Sequence, residues 1–388
     1  MVLAYVRSMR LLHTSDWHVG RTFHGTDLLG DQARVLEHLA GLVATHRVDV
    51  VLVAGDVYDR AVPNAGSVEV CTRALEQIRA AGAVIVVTPG NHDSATRLGA
   101  AASFAAAGGL HLRTRTAELD VPVLLSDTHG EVAVYGLPFL EPDTARHALG
   151  EPAARSHADV LAVAMGRVRA DLAARPGVRS VVLAHAFVVG GEATGSERTI
   201  SVGGVETVPA GVFDGVDYVA LGHLHSPQVL TERVRYSGSP LPYSFGERSH
   251  RKAAWLVDLG PVGLEQVQRL ELPVVRGLSQ LTGALPDLLT DPVHRQAEEH
   301  YVSAVLTDPV RPLDAMRRLQ VRFPHAVHLE WQRPGGAAAP RYAEKVRGRS
   351  DAEVVGSFLT DVRSAPQAWE SELVTEGLRA AEHAADRR

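Results

Sequence analysis

The sequence Val84-Ile85-Val86-Val87-Thr88-Pro89-Gly90-Asn91-His92-Asp93 joins an apolar run to three consecutive polar side chains. The apolar half has the continuous hydrophobicity of a buried strand. Pro89 and Gly90 end that strand, so the three polar residues are predicted to lie on the loop at its carboxyl end. An amide, an imidazole and a carboxylate in a row are costly to bury without partners. The stretch therefore forms either a solvated turn or part of a functional site.

Other strand-like runs in the chain end in the same kinds of residue. In an open α/β sheet, the carboxyl ends of the strands are where ligands bind. We therefore expect the polar residues that follow these runs to gather in one place. The runs are residues 10–14 before Asp16 and His18, 50–54 before Asp56, 180–184 before His185, and 217–221 before His223 and His225.

The composition is that of an ordinary globular protein of two or three domains. The chain has 388 residues, of which 45% are hydrophobic and 22% charged. No apolar run approaches the roughly 18 residues of a transmembrane helix. A single cysteine, Cys71, excludes an intrachain disulfide framework and a thiolate metal cluster, and we expect it to be a core residue of a cytoplasmic protein. The net charge of −6 argues against a chain that coats nucleic acid by itself.

Strands and helices alternate in the first 110 residues, which predicts a parallel sheet. Helical spacing of apolar residues predicts a helix around residues 35–43, and further helices over residues 67–81 and 94–107. The pattern then changes to a hairpin over residues 121–125 and 132–139, a helix over 155–174, and strands over 228–236, 253–259 and 264–272. The fold class is therefore α/β, with a mixed sheet or a pair of sheets flanked by helices.

The organisation predicted for the chain has four parts. Residues 9–272 form the main domain, and residues 273–333 form a small C-terminal α/β domain with a strand, a helix and a strand over 300–306, 313–323 and 326–331. Residues 334–349 are rich in Pro, Gly and Ala and then basic, which is typical of a linker.

The fourth part is a helical tail over residues 350–388. Its first helix carries an apolar stripe, and a helix this short is stable only when such a stripe is buried. The stripe either packs on the chain's own domains or docks on another protein. Its members are Val354, Val355, Phe358, Leu359 and Val362.

The polar residues at the strand ends have the chemistry of a two-metal site. Asp16 and His18 are two positions apart, so an extended chain directs both side chains to one side, and His223 and His225 repeat this spacing. Seven nitrogen and oxygen ligands are too many for one catalytic ion, whereas a carboxylate can bridge two ions about 3.5–4 Å apart. Mn²⁺, Fe²⁺ and Zn²⁺ all suit such a ligand set. The seven are Asp16, His18, Asp56, Asn91, His185, His223 and His225.

The ordered set of motifs resembles the calcineurin-like metallophosphoesterase superfamily and, within it, the SbcD family of DNA double-strand-break repair nucleases. The resemblance covers the whole chain and is densest from residue 9 to about residue 255. It is carried by the spellings at residues 14–18, 54–59, 90–93, 222–225 and 236–240, and by Arg21.

This resemblance implies a four-layer αββα sandwich with a small C-terminal α/β capping domain. It also implies that Asp16, His18, Asp56 and His225 hold one metal ion, and that Asp56, Asn91, His185 and His223 hold the other, with Mn²⁺ as the cation. His92 would face the scissile phosphate and act on the leaving oxygen, and Asp93 could orient the ring of His92. Archaeal members carry a histidine where this chain has Asp59, so the role of that position is open.

The function that the resemblance implies is a 3′–5′ double-strand DNA exonuclease and single-strand endonuclease. Such proteins are nucleoid-associated homodimers that act with an SMC-like ATPase, SbcC, which binds their C-terminal elements. Two alternatives remain at this point. One is a phosphodiesterase or phosphatase for small molecules, which needs neither a second domain nor a docking tail. The other is a non-catalytic scaffold, which would not need a complete ligand set.

Overall fold

A computed structural model describes residues 8–194, 196–197, 207–332, 348–362 and 365–385 of the chain. The strands within these residues are β1 (Met9–Thr14), β2 (Thr22–Phe23), β3 (Thr26–Asp27), β4 (Val50–Ala54), β5 (Val84–Thr88), β6 (Leu110–Leu112), β7 (Val123–Asp127), β8 (Gly130–Gly136), β9 (Arg179–His185), β10 (Tyr218–Gly222), β11 (Gln228–Val229), β12 (Val234–Tyr236), β13 (Ala253–Gly260), β14 (Gly263–Glu271), β15 (Leu278–Gly283), β16 (Tyr301–Leu306) and β17 (Ala326–Trp331). The α-helices are α1 (Leu29–His46), α2 (Ala65–Ala80), α3 (Ala95–Leu98), α4 (Ala102–Ala107), α5 (Pro142–Leu149), α6 (His157–Ala173), α7 (Leu285–Thr290), α8 (Ala315–Arg322), α9 (Asp351–Val362) and α10 (Ala368–Ala385).

The chain divides into two compact units, Met1–Val275 and Arg276–Arg388. The first unit contains two six-stranded sheets, with strand orders β14-β13-β1-β4-β5-β6 and β11-β12-β10-β9-β8-β7. In the first sheet β1, β4, β5 and β6 are mutually parallel, and in the second β8, β9, β10 and β12 are. Both sheets therefore have a parallel centre, and antiparallel pairs join β13 and β14 to one edge of the first sheet and β11 and β7 to the two edges of the second.

The two sheets face each other across a shared core. Inward-facing side chains of β1, β4 and β13 from one sheet and of β8, β9 and β10 from the other form a single buried hydrophobic cluster. A polar contact also crosses this interface, because His13 on β1 lies 2.9 Å from the Tyr218 hydroxyl and 3.1 Å from the Leu221 carbonyl oxygen on β10. Burial lowers the pKa of His13 to about 3, so this imidazole joins the sheets as a neutral group.

Helices cover the outer faces of the sheets. Helix α6 packs Val160, Leu161 and Met165 into the core outside the second sheet, and its first turn is closed by a capping box between Ser156 and Asp159. On the first sheet, α1 and α2 pack together, and Asn64 caps α2 by accepting a hydrogen bond from the backbone N–H of Ser67. The predicted α/β class, with sheets flanked by helices, is confirmed.

Two predicted elements are divided in the structure. The helix expected over residues 94–107 is broken into α3 and α4 at Gly99, a poor helix former whose Cα lies so close to Thr114 that a Cβ would collide with the threonine hydroxyl. The strand expected over residues 228–236 is a hairpin of β11 and β12.

The second unit contains a three-stranded parallel sheet of order β15-β16-β17, with α7 and α8 in its core. The predicted strand, helix and strand are β16, α8 and β17, whereas β15 and α7 were not predicted. The tail forms α9 and α10, which pack against each other. Most of the predicted linker lies outside the described residues.

Among the described helices, none combines the length and hydrophobicity required to span a bilayer.

Candidate metal centre

Five parallel strands carry the predicted ligands to one edge of the sandwich. Strands β1, β4 and β5 of the first sheet end just before the ligands of residues 16–18, 56 and 91, while β9 and β10 of the second end at or before His185, His223 and His225. All of these side chains are buried except that of Asn91, which is partly exposed. The site therefore lies where the two sheets meet, as the strand-end motifs predicted.

The backbone at this edge is in an unusual conformation. Asp16, His18 and Asp56 have φ angles of 52°, 43° and 51°, and His223 has a φ of 108°. Left-handed backbone is unfavourable for residues other than glycine. It persists where the surrounding structure enforces it, commonly at functional sites. The close approach of the sheets enforces it here, since a Cβ at Gly222 would collide with the carbonyl oxygen of Ala54.

Asp16, His18 and His225 form the first ligand cluster. Their ligand atoms all lie within 4.8 Å of one another, and the Nε2 atoms of the two histidines are 3.1 Å apart. His18 Nδ1 faces Asp59 Oδ1 at 3.6 Å, and His225 Nδ1 lies 2.6 Å from Ser196 Oγ. His225 Nδ1 is thus within hydrogen-bond distance of an oxygen, whereas His18 Nδ1 has no hydrogen-bond partner among the described residues.

Asp56 and His185 form the second ligand cluster together with Asp16. His185 Nδ1 lies 3.1 Å from the carbonyl oxygen of Ala54, so this nitrogen is the donor and Nε2 carries the lone pair. That lone pair points at Asn91 Oδ1, 2.9 Å away, and at Asp56 Oδ2, 3.5 Å away. Asp56 Oδ2 is also 3.5 Å from His18 Nε2, so Asp56 lies between the two clusters, where a bridging carboxylate is required.

His223 lies beside the second cluster. Its backbone N–H donates to both carboxylate oxygens of Asp16 at 3.1 Å, and its ring centroid is 5.3 Å from that of His185. All seven predicted ligands are therefore brought together at one edge of the sandwich. The division of these residues between two metal ions stays a prediction.

The protonation states suit cation binding. Burial lowers the pKa of His185 to about 3, and it lowers the pKa of His18 and His223 well below the ordinary value. Metal-ligating histidines must be neutral, as these are. Burial, followed by the negative charge of Asp56, raises the pKa of Asp16 well above its usual range.

This donor set fits divalent cations. Burial and the charge of Asp56 disfavour the charged form of Asp16, and a cation between the two side chains would stabilise both carboxylates in their charged form. Imidazole nitrogens with carboxylate and amide oxygens are a ligand set used by Mn²⁺, Fe²⁺ and Zn²⁺. The chain therefore carries a divalent metal site.

His92 is placed next to these ligands. Its backbone N–H donates to Asp56 Oδ1 at 2.9 Å, and its Nδ1 donates to the carbonyl oxygen of Asp59 at 2.8 Å. Its Nε2 lies 3.9 Å from Asp56 Oδ2 and has no hydrogen-bond partner among the described residues. This nitrogen is therefore available to a substrate.

Asp93 does not contact the ring of His92, which it was expected to orient. Its carboxylate accepts hydrogen bonds from the backbone N–H groups of Val57, Tyr58 and Gly90 at 2.9–3.0 Å. The ring of His92 is instead oriented by the carbonyl oxygen of Asp59. Asp93 therefore joins the two loops that carry Asp56 and Asn91, and it acts on the site through the backbone.

Sequence reasoning missed the residues that support His225. Lys252 Nζ donates to the His225 carbonyl oxygen at 2.7 Å and lies 2.5 Å from Glu247 Oε2, and both side chains are buried. Tyr243 packs its ring against His18 and His225, and Arg21 lies over the other side with its Cζ 5.0 Å from the ring centroid. Tyr243 and Glu247 are at least 18 positions away from His225 in the sequence, so sequence spacing gives no sign of this arrangement.

Residues 9–227, more than half of the chain, match the family model of the calcineurin-like phosphoesterases. The chain belongs to this family, and it is a metal-dependent phosphoester hydrolase.

Three solved structures are similar to the chain. The protein TT1561 of Thermus thermophilus is 15% identical, with a TM-score of 0.41 over 69% of this chain and 100% of its own. GAP50, the anchor in the inner membrane complex of Plasmodium, is 9% identical, with a TM-score of 0.38 over 86% of this chain and 100% of its own. A dimetal phosphatase from Danio rerio is 13% identical, with a TM-score of 0.40 over 69% of this chain and 100% of its own. Structural similarity with TM-scores this low does not indicate a shared function.

Proposed function

We propose that the chain is a Mn²⁺-dependent DNA nuclease of the SbcD type, which hydrolyses phosphodiester bonds at DNA ends and in single strands together with an SbcC-like SMC ATPase. The observation that carries the hydrolytic part is the placement of His92 beside a complete ligand set. Its Nε2 is buried, points to the cluster at 3.9 Å from Asp56 Oδ2, and has no hydrogen-bond partner among the described residues.

The ligand residues would supply two positions for cations. Asp16, His18, Asp56 and His225 would hold one ion, and Asp56, Asn91, His185 and His223 the other. When bound, two divalent cations polarise a phosphoryl oxygen and neutralise charge on the attacking and leaving oxygens. Because the ligands are largely buried and the rings of His185 and His225 are fixed through Nδ1, the geometry would need little rearrangement when cations bind.

His92 would act on the leaving group. The Asp59 carbonyl accepts from Nδ1, so the ring is fixed with Nε2 towards the ligand cluster. In the imidazolium form, Nε2 can donate a proton to the 3′ oxygen as its bond to phosphorus breaks, and the resulting neutral ring keeps its Nδ1 hydrogen bond. General acid catalysis of this kind contributes about 10²–10⁴-fold to a rate.

DNA is the proposed substrate because of features outside the ligand set. The motif spellings at residues 14–18, 54–59 and 236–240 are those of the SbcD family, and a second unit and a helical tail follow the catalytic unit. In the tail, Phe358, Trp369 and Leu373 are 48%, 58% and 57% exposed, which is consistent with a surface for the ATPase. A homodimer within a larger complex is part of the same proposal.

A small phosphodiester is the second candidate substrate. The net charge of −6 gives the chain no general attraction for nucleic acid, and this favours a substrate that needs only the metal centre. The complete ligand set speaks against a third possibility, a scaffold without catalytic activity.

The test is a comparison of substrates on one preparation loaded with Mn²⁺. We expect the full-length protein to cleave a labelled duplex end and a single-stranded circle, and to do so with a higher kcat/KM than for bis(p-nitrophenyl) phosphate. His92→Ala is the matched control for contaminating nucleases. Activity on the small diester alone would exclude DNA but keep the hydrolase, and activity on neither substrate would overturn the proposal.

A further inference from the structure

Two described residues between β9 and β10, Ser196 and Glu197, lie beside the metal centre. The segment that contains them is closed at its base by a bridge between Val188 and Val208, with the N–H of Val189 donating to the Val208 carbonyl oxygen at 2.8 Å. Within the described part of this segment, Ser196 and Glu197 lie against His225. Ser196 and Glu197 thus contact a predicted metal ligand, although neither belongs to the loops at the strand ends.

Ser196 connects His225 to a buried carboxylate. Its Oγ lies 2.6 Å from His225 Nδ1 and donates to Glu247 Oε1, also at 2.6 Å. Other contacts to the Glu247 carboxylate also come from donors, including Lys252 Nζ at 2.5 Å and the backbone N–H of Tyr243 at 3.2 Å. A hydroxyl has one proton to give, so Ser196 gives it to Glu247 and accepts from the N–H of His225.

The direction of these hydrogen bonds fixes the tautomer of His225. With the proton on Nδ1, the lone pair is on Nε2, which lies 3.1 Å from His18 Nε2. A negative carboxylate at the other end of the chain of hydrogen bonds makes this nitrogen a stronger ligand. Without the hydroxyl, His225 Nδ1 would face Glu247 Oε1 at 3.7 Å, too far for a hydrogen bond.

The main chain of Ser196 is held in this position by two contacts. Arg21 Nη2 donates to its carbonyl oxygen at 2.7 Å, and its own N–H donates to Glu197 Oε2 at 3.0 Å. Glu197 Oε1 in turn accepts from the backbone N–H of His225 at 3.1 Å. The hydroxyl is therefore fixed by contacts to its main chain.

We propose that Ser196 is a positioning residue of the metal centre, whose hydroxyl holds His225 in the orientation and tautomer that bind a divalent cation. This inference rests on the proposed assignment of His225 as a metal ligand. It does not depend on DNA being the substrate.

The experiment measures Mn²⁺ binding by full-length protein in calorimetric titrations, without any substrate. We expect Ser196→Ala to weaken binding at one site by about 10–100-fold, the effect usual for a residue that supports a metal ligand. Ser196→Thr keeps the hydroxyl and should restore most of the affinity. Ser180→Ala is the control, because the hydroxyl of Ser180, like that of Ser196, donates to a carboxylate, but at 3.1 Å to Asp217, away from the centre.

Two outcomes are distinguishable from each other. Equal Mn²⁺ affinity in Ser196→Ala and the wild type, with weaker binding in His225→Ala, would overturn the role of Ser196 and keep His225 as a ligand. Unchanged binding in His225→Ala would overturn the ligand assignment itself. Melting temperatures measured in chelator report separately on folding, so a loss of stability is not mistaken for a loss of affinity.

Discussion

The Nε2 atoms of His18 and His225 lie 3.1 Å apart, although the two residues come from different sheets and are 207 positions apart in sequence. His225 Nδ1 lies 2.6 Å from Ser196 Oγ, and burial lowers the pKa of both His18 and His225, so both rings are neutral. A cation between the two Nε2 atoms would stabilise this arrangement.

Asp56→Asn should remove nearly all Mn²⁺-dependent phosphodiester cleavage. Asp56 Oδ2 lies 3.5 Å from both His18 and His185, and an amide cannot bridge two ions as a carboxylate can. Cleavage of a DNA end and of bis(p-nitrophenyl) phosphate is measured. Asp214→Asn, at an exposed position, is the control and should keep full activity. Near wild-type activity in Asp56→Asn would exclude the bridging role.

His92→Ala should keep the bound metal and lose activity by about 10²–10⁴-fold, the range for a general acid. Among the described residues the ring makes a single hydrogen bond, to the Asp59 carbonyl oxygen, so its removal should leave the ligands in place. Metal content is measured by elemental analysis beside the rate. His147→Ala, on the surface, is the control. A loss of one metal ion per chain would show that His92 is a ligand.

Removal of residues 350–388 should abolish co-purification with an SbcC-like ATPase and ATP-stimulated cleavage of duplex ends, and should leave Mn²⁺-dependent endonuclease activity on single strands. Each large apolar side chain of the tail gains roughly 1.5–3 kcal/mol when fully buried, enough for several to support a complex.

The double variant Phe358→Ser and Leu373→Ser tests the same surface without truncation, and Val262→Ser, at a position 95% exposed in the first unit, is its control. The competing expectation is that the tail stabilises the chain's own fold. A truncated protein with a lower melting temperature that still binds the ATPase would refute docking through the tail.

Asp127→Asn should lower the free energy of unfolding by about 3–5 kcal/mol at pH 7, because it leaves the buried guanidinium of Arg179 without its ion pair. Both carboxylate oxygens contact that guanidinium, at 2.6 and 2.9 Å. Burial alone would raise the pKa of Asp127, but the hydrogen bonds from Arg179 and from the His129 N–H hold the pKa below its ordinary value.

The pH dependence of this stability difference follows from the lowered pKa of Asp127. A carboxyl with a lowered pKa in the folded state contributes its stability above its unfolded pKa of about 3.9, and loses it as the pH falls through the folded value. Denaturant unfolding should therefore show the difference between wild type and Asp127→Asn narrowing below about pH 4. The control is Asp143→Asn, whose ion pair with Arg146 involves a side chain 71% exposed and should matter little. A difference constant down to pH 2 would contradict the assignment.

The sequence was sufficient to predict that the polar residues of the metal centre gather at one edge of the sandwich, because strand-end position is a local property. Asn91 follows an apolar run and a Pro-Gly break, and the spacing of Asp16 with His18 recurs in His223 with His225. Burial of Cys71, 1% exposed, could also be predicted from its helical surroundings.

The surroundings of those ligands could not be predicted in the same way. Ser196, Glu247 and Lys252 look like ordinary polar surface residues in the sequence, and only the folded chain brings them to His225. The break of the helix at Gly99 depends on Thr114, which lies in a later segment. The family resemblance suggested that Asp93 could orient His92, but its carboxylate accepts hydrogen bonds from backbone groups of the neighbouring loop.

The placement of ligands on strands of both sheets has a consequence for the whole first unit. Cations bound by residues that follow β1 and β4 on one side and β9 and β10 on the other would act as a cross-link between the halves of the sandwich. Their binding would then stabilise the folded state. Once the sites are saturated, this stabilisation grows with the logarithm of the free cation concentration. The melting temperature of this protein should therefore rise with the concentration of free divalent metal in its surroundings, and fall when a chelator removes that metal.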